Sequence, residues 1–350
     1  MVAEAVASPP VSGRGDAGSG DDAEAGGARQ LTTLQGWREF AADRPVAPGL
    51  LAAGAWQNLG PEGRQDYDEL RLAHHARLPV VATPTIQQVI TEGRRLQYLN
   101  RHADGGRCGL LLSGPARTGK TTCLTQLGKT IETIRRRRYP NAAGHIPVIY
   151  ITAPPAATPR MIAVELARFL TLPLTRRANI TDVLEAVCGI CLDARTTLIC
   201  VDEIHNVNLG TRHGAEASDT LKYFAERLPV TFAFAGISVA RAGLLSGTRG
   251  EQIAGRFSMI RTGPFGPGEQ WQALVAVIED SLRLHRHRPG TLVELSSYLH
   301  GRTGGMIGSL LRLVRSAAVQ AVLDGSEAIT RATLESIPVD IASAGEHLPR

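Results

Sequence analysis

Residues 110–121 read Leu-Leu-Leu-Ser-Gly-Pro-Ala-Arg-Thr-Gly-Lys-Thr. The three leucines closed by Ser113-Gly114 have the signature of a short buried strand. Downstream, Leu124, Leu127, Ile131 and Ile134 recur at spacings of three and four, which predicts an amphipathic helix. Between the two, Gly114 to Thr121 satisfies G-x-x-x-x-G-K-[ST] in the strand–loop–helix context that the pattern requires. In such a loop, here Gly114, Pro115, Ala116, Arg117, Thr118 and Gly119 running into Lys120, Thr121 and Thr122, backbone N–H groups point at phosphate oxygens. The helix that follows adds the positive end of its dipole. Lys120 is expected to reach the β- and γ-phosphates and the Thr121 hydroxyl to coordinate Mg2+, so the sequence predicts ATP and Mg2+ as ligands. The alternative is a glycine-containing turn that matches by chance, and the flanking elements weigh against it.

The surrounding chain alternates strand and helix. Ile146 to Thr152, Thr197 to Val201, Val230 to Ala235 and Phe257 to Arg261 read as further strands. Thr158-Pro159 opens a helix carrying Ile162, Leu166 and Phe169, Thr181 to Cys191 gives another, and Leu221, Phe224 and Leu228 mark a third. Strands separated by helices predict an α/β fold, a P-loop NTPase with a parallel sheet covered on both faces. Asp202-Glu203 follows the apolar Leu198-to-Val201 strand. Because ligands of an open parallel sheet sit at the carboxyl ends of its strands, this acidic pair is placed to converge on the phosphate loop. Asp202 is expected to hold the Mg2+ and Glu203 to orient or deprotonate an attacking water. A capping acidic pair on the surface is the plainer reading, disfavoured by the apolar strand ahead of it.

The outer segments differ in character. Residues 1–30 carry five acids against two arginines, with no helix or strand period, and read as a disordered tail. Residues 31–100 form a helical N-terminal extension, including Trp37 and Phe40, Tyr67 to Leu78, and a helix opened by Thr83-Pro84. Residues 101–266 make the nucleotide-binding core, 267–340 a helical lid built on Trp271, Leu274, Val275, Ile278 and the Ile307-to-Ala318 face, and 341–350 a short tail.

Composition excludes other classes. In 350 residues, 43% are apolar and 20% charged, enough to bury a core. No run of 18 apolar residues and no leader pattern occurs, so a cytoplasmic protein that does not enter the membrane is expected. Five scattered cysteines make no disulfide framework, and Cys188 and Cys191, despite redox spacing, read as buried in a helix. The net charge of +5 is compatible with a polyanion partner. Arg135 to Arg138 serve equally as phosphate contacts or as the solvated end of a helix. His285 and His287 read as surface residues rather than metal ligands. With aromatics at 5%, a stacking platform for single strands is not indicated.

Asp202-Glu203-Ile204-His205-Asn206 after an apolar strand, with Gly114 to Thr121 upstream, resembles the AAA+ ATPases that regulate DNA transposition, specifically the TniB group, which is related to TnsC. Leu78 to Pro84 resembles the segment preceding the ATPase core there, and Gly304 through Ala321 to Ile329 the lid helices. The likeness covers about residues 67–335. It implies a homo-oligomer, ring or filament, that forms with ATP on double-stranded DNA and recruits or activates a transposase, with hydrolysis driving disassembly. It also implies an arginine supplied by a neighbouring subunit, for which Arg256 is the first candidate and Arg249 and Arg261 are competitors. Two departures point to slow, switch-like turnover. Ser238 is the first polar residue after the apolar Ala235-Gly236-Ile237, and Gly304 to Gly308 lacks an arginine until Arg312. The competing functional classes are a signalling or defence ATPase without a transposase, a nucleotide-locked scaffold with little hydrolysis, and a small-molecule kinase, which Glu203 beside Asp202 disfavours.

Overall fold

The computed structural model describes residues 30–77, 80–173, 179–207, 212–239 and 255–338, with side chains 212–219 excepted. The expected tails and Arg249 lie outside the described residues, apart from Gln30. Five strands, β1 (Gly109–Gly114), β2 (Val148–Thr152), β3 (Leu198–Asp202), β4 (Thr231–Ile237) and β5 (Phe257–Arg261), form one parallel sheet in the order β2-β3-β4-β1-β5. β1 sits between β4 and β5, with Gly114 opposite Ile237 and Ser113 opposite Arg261. β1 to β4 are buried on nearly every residue, as a parallel sheet covered on both faces demands, while the edge strand β5 buries only Ile260.

The helices follow from local signals. In the N-terminal part these are α1 (Leu34–Ala42), α2 (Ala53–Gln57), α3 (Pro61–Arg77) and α4 (Pro84–Arg101). Thr83 caps α4 by accepting from the Ile86 N–H at 3.3 Å, with Pro84 in the first turn. α5 (Lys120–Arg138), α6 (Pro159–Phe169), α7 (Ile180–Asp193) and α8 (Arg212–Arg227) belong to the core, with Thr158 capping α6 in the same way as Thr83 caps α4. The expected apolar face of α5 stops one turn early. Leu124, Leu127 and Ile131 are buried, but Ile134, near the end of the helix beside α4, is 39% exposed.

The lid comprises α9 (Glu269–Asp280), α10 (Thr291–Glu294), α11 (Ser296–Thr303), α12 (Ile307–Leu323) and α13 (Arg331–Ser336), around a separate apolar cluster that includes Trp271, Leu292, Leu299 and Leu310. Among the described residues no single helix is long and apolar enough to cross a membrane. α11 and α12 together have the length and composition, but they bend by 115° and bury most of their apolar residues in the lid cluster.

The N-terminal helices are divided between these two bodies. Trp37 of α1 stacks on Tyr150 of β2 with ring centroids 5.6 Å apart, and α4 lies along α5, both on the core. α2 and α3 dock on the lid. Trp56 stacks on His285 at 4.2 Å and packs beneath Arg64, and α3 runs against α12. The face α3 buries is polar: Arg71 forks onto Glu327 with bonds of 2.6 and 2.8 Å, and both side chains are fully buried.

His285 and His287 therefore are not surface residues. His285 is held between Trp56 and the Tyr67 hydroxyl, and the His287 ring, 2.9 Å from Glu279, accepts from the Ile329 N–H. The buried Glu279 carboxylate needs donors, and this turn of the lid supplies one. Cys188 and Cys191 are buried in α7 as expected, with burial pushing the Cys191 thiol up to about 12.

Candidate functional site

The loop from Pro115 to Gly119 turns tightly between β1 and α5 because two glycines allow it. At Gly114 a side-chain carbon would lie 2.2 Å from the Thr262 carbonyl oxygen, so the loop can pass against the end of β5 only without one. Gly119 adopts φ 84°, in the left-handed region, to set the first turn of α5. The Thr118 hydroxyl bonds the Pro115 carbonyl at 2.9 Å and sits 2.6 Å from the Thr262 hydroxyl, fixing the loop to β5. From the other side the lid touches it: Gly308 at the start of α12 donates its N–H to the Arg117 carbonyl at 3.0 Å.

Lys120, in the first turn of α5, is nearly buried and donates to the Pro115 carbonyl within the loop. Burial lowers the ammonium below its usual range, and the charges of Glu203 and Asp202 partly offset that shift. Lys120 and the acidic pair therefore share one crevice.

Asp202 ends β3 and is 4% exposed. One carboxylate oxygen accepts from the Thr121 hydroxyl at 2.7 Å and from the Tyr150 hydroxyl at 2.9 Å, and the other accepts from the Glu203 N–H at 2.9 Å. Burial, reinforced by the Asp202 charge, pushes the Tyr150 phenol far up, so it remains a donor. The sequence expectation that two distant stretches meet at one crevice is matched by this Thr121–Asp202 bond. A hydroxyl and a carboxylate side by side are hard oxygen donors suited to Mg2+. Among the described residues no three His, Cys, Asp or Glu side chains cluster as a metal cage. The donor set therefore fits a cation that shares its ligands with phosphate and water.

Glu203 follows in a left-handed conformation, φ 54°, which turns its half-exposed side chain away from the strand line. Its carboxylate lies 3.2 Å from His205 Nδ1, the same nitrogen that accepts the Ile237 N–H at 3.2 Å. One ring nitrogen either accepts or donates, so Glu203 and β4 compete for it. Asn206 ties the turn to β2 through the Ala153 carbonyl at 2.8 Å. Tyr150, His205 and Thr262 are the site residues that sequence reasoning missed, and only the Asp-Glu-Ile-His-Asn string gave a signal, for His205.

The remaining expected residues are distributed as follows. Thr122 follows Thr121 in α5, partly exposed. Ser238 ends β4 with φ 44°, its N–H donating to the Gly114 carbonyl at 3.3 Å. Arg312 is exposed on α12. Arg256 and Arg261 are exposed at the two ends of β5. The Arg256 carbonyl accepts from Gly109 at the start of β1, the end of the sheet away from the phosphate loop. Arg256 is thus remote from its own chain's site.

The sequence matches the family model described as bacterial TniB protein over residues 71–266, more than half of the chain. The chain belongs to the TniB family. No curated protein matches it. Among solved structures, this TniB-family chain is similar to the Aeropyrum pernix ORC1 protein in complex with DNA, with TM-score 0.59 and 16% identity, over 77% of this chain and 66% of that one. It is also similar to the Aeropyrum pernix ORC2 protein with ADPNP and ADP, with TM-score 0.54 and 18% identity, over 74% and 70%. Drosophila ORC bound to DNA matches with TM-score 0.51 and 13% identity, over 90% and 74%. The fold of the TniB-family chain is that of an AAA+ P-loop NTPase.

Proposed function

We propose that this chain is a Mg2+-dependent ATPase that assembles as a homo-oligomer on duplex DNA in its ATP-bound form and recruits or activates a transposase. The observation that carries the nucleotide chemistry is the 2.7 Å bond between Thr121 and Asp202 at the mouth of the phosphate loop. The loop N–H groups and Lys120 bind and orient the phosphates, and Thr121 and Asp202 hold Mg2+. Bound there, Mg2+ would neutralise charge on the phosphate oxygens. Glu203 orients a water and takes its proton as the water attacks the γ-phosphorus and the bond to the ADP oxygen breaks. Arg256, remote from its own site, is the residue we assign to a neighbour's site, offsetting charge on the transferring phosphoryl group. Family membership and the DNA-bound state of two fold relatives support the DNA and transposition parts of this reading.

The competition for His205 Nδ1 supports slow turnover, since Glu203 is not free to take up a single pose. The test images assembly on duplex DNA with ATP, with ADP and with no nucleotide, beside Lys120→Ala and Arg256→Ala, while phosphate release is followed in Glu203→Gln. Assembly that needs ATP and is lost in both alanine variants is the expected outcome. Assembly indifferent to nucleotide and to Lys120 overturns the mechanism. No steady phosphate release from the wild-type chain would move it to the nucleotide-locked scaffold class, and release unchanged in Glu203→Gln would remove Glu203 as the base.

A further inference from the structure

The far end of the sheet from the phosphate loop carries a cleft of about 240 Å3, lined where β3 and β4 begin by Thr197 and Thr231 and roofed by α4, α5 and the turn after α7. β1 is six residues long, which puts this cleft roughly 17 Å or more from the nucleotide crevice. Arg101, Arg135 and Arg195 line it, and an adjoining hollow sharing Gln97, Arg101 and Arg135 adds Arg94 and Arg138. On α4 the arginines fall at positions 94 and 101 with Tyr98 between them. On α5 they fall at 135 and 138, so two packed helices present facing basic stripes.

Among the described residues no carboxylate lines either hollow. The acids that these two helices do carry nearby are engaged elsewhere, Glu92 with Arg95 at 2.6 Å and Glu132 with Arg136 at 2.8 Å. Arg101 lies over the Tyr98 ring, and Arg135 and Arg138 over Tyr139, contacts that leave the charges uncompensated. Arg135 Nε is buried without a hydrogen-bond partner. The margin around the arginines also exposes apolar groups: Tyr98, Ile134 and Leu192 are 59%, 39% and 47% exposed.

We infer that this cleft docks an acidic segment of a partner protein that also carries aliphatic side chains. Charge selects the occupant's sign, and the apolar margin selects its class. A nucleic-acid backbone would pair with the arginines but leave Ile134 and Leu192 in water, whereas a peptide alternating carboxylates with leucines covers both. The concave shape admits an extended strand or a helix edge, not the convex flank of a duplex. The inference does not depend on ATP turnover, since the cleft shares no residue with the crevice.

The experiment measures fluorescence anisotropy of a short labelled peptide of alternating Glu-Glu and Leu-Leu pairs on the full chain, beside an all-glutamate peptide and a random duplex. The expected result is that Arg101→Glu/Arg135→Glu weakens the mixed peptide about tenfold or more, two reversed charges sufficing for the 1.4 kcal/mol this represents. Ile134→Asp/Leu192→Asp does likewise, Arg101→Lys/Arg135→Lys retains binding, and ATP affinity and thermal midpoint stay unchanged in all three. Three outcomes would overturn the inference: equal peptide binding by the wild-type and reversed proteins, equal affinity for the all-glutamate and mixed peptides, or loss of duplex binding alone on charge reversal.

Discussion

Replacing Glu327 by glutamine tests whether α3 is held on the lid by charge. Both Glu327 and Arg71 are fully buried, joined by two parallel bonds of 2.6 and 2.8 Å, with a third from the His285 N–H at 3.1 Å. Burial alone would lower the Arg71 pKa, yet hydrogen bonds to Glu327 and Asp68 raise it above its ordinary value. Glutamine keeps the shape and removes the charge, leaving the buried guanidinium with the Arg283 carbonyl and with Asp68 as its one carboxylate, itself shared with Arg64 at 3.0 Å. Breaking a buried pair in this way costs about 3–5 kcal/mol. Hydrogen exchange of the α3 amides reads the opening of that helix directly, and at about 1.4 kcal/mol per decade the exchange should quicken about a hundred- to several-thousandfold. Arg71→Met/Glu327→Met, which removes both charges and keeps the volume, should restore much of the protection. Exchange within about threefold of wild type in Glu327→Gln, a shift of only about 0.6 kcal/mol, would refute the reasoning. So would a double variant worse than the single.

The other expectations are narrower. Gly114→Ala forces a carbon to 2.2 Å from the Thr262 carbonyl, so ATP binding measured by calorimetry should fall about tenfold or more, with the midpoint of unfolding lowered. Tyr150→Phe removes a donor from buried Asp202 and should cost about 1–3 kcal/mol of stability in urea titration, while Thr121 still contacts the carboxylate. His205→Ala leaves Glu203 without its neighbour, and kcat should change severalfold with the ATP KM constant, since His205 positions the base and does not touch the loop. His75 titrates near 6.5 unfolded and at about 4 in the fold, because burial disfavours its charged form. The unfolded chain therefore takes up the proton first. Stability is complete above pH 6.5 and declines as pH falls from 6.5 toward 4, by up to about 3 kcal/mol, which a denaturation series in buffers across that range should show and His75→Gln should flatten.

The strand–loop–helix at residues 110–134 was legible because its information is local: an apolar run, glycines where the backbone must turn, and a lysine and hydroxyl at fixed spacing. Asp202 was legible for the same reason, at the end of an apolar strand. What escaped depends on pairings distant in sequence. Tyr150 reaches Asp202 only because β2 and β3 pair with Thr152 opposite Asp202, a register no spacing within either strand encodes. The exposure of Ile134 departs from helical periodicity, and the enclosure of His285 and His287 departs from the reading of them as surface residues. Polar rings are taken inside where Glu279 and Trp56 supply partners. The docking of α3 on the lid rests on Arg71 finding Glu327, one on a helix that looks ordinarily solvated when read singly and the other in the turn between α12 and α13.

That division has a mechanical consequence. The chain crosses between the core and the lid three times, after α1, between α3 and α4, and after β5, so the lid behaves less like a flap on one string than like a door on several pins. Several connections constrain the lid's motion more than a single one would. Any rotation that lifts the Gly308 N–H from the Arg117 carbonyl must therefore also slide α2 and α3, and the outer surface of the N-terminal helices becomes the place where an observer could read what lies in the nucleotide crevice.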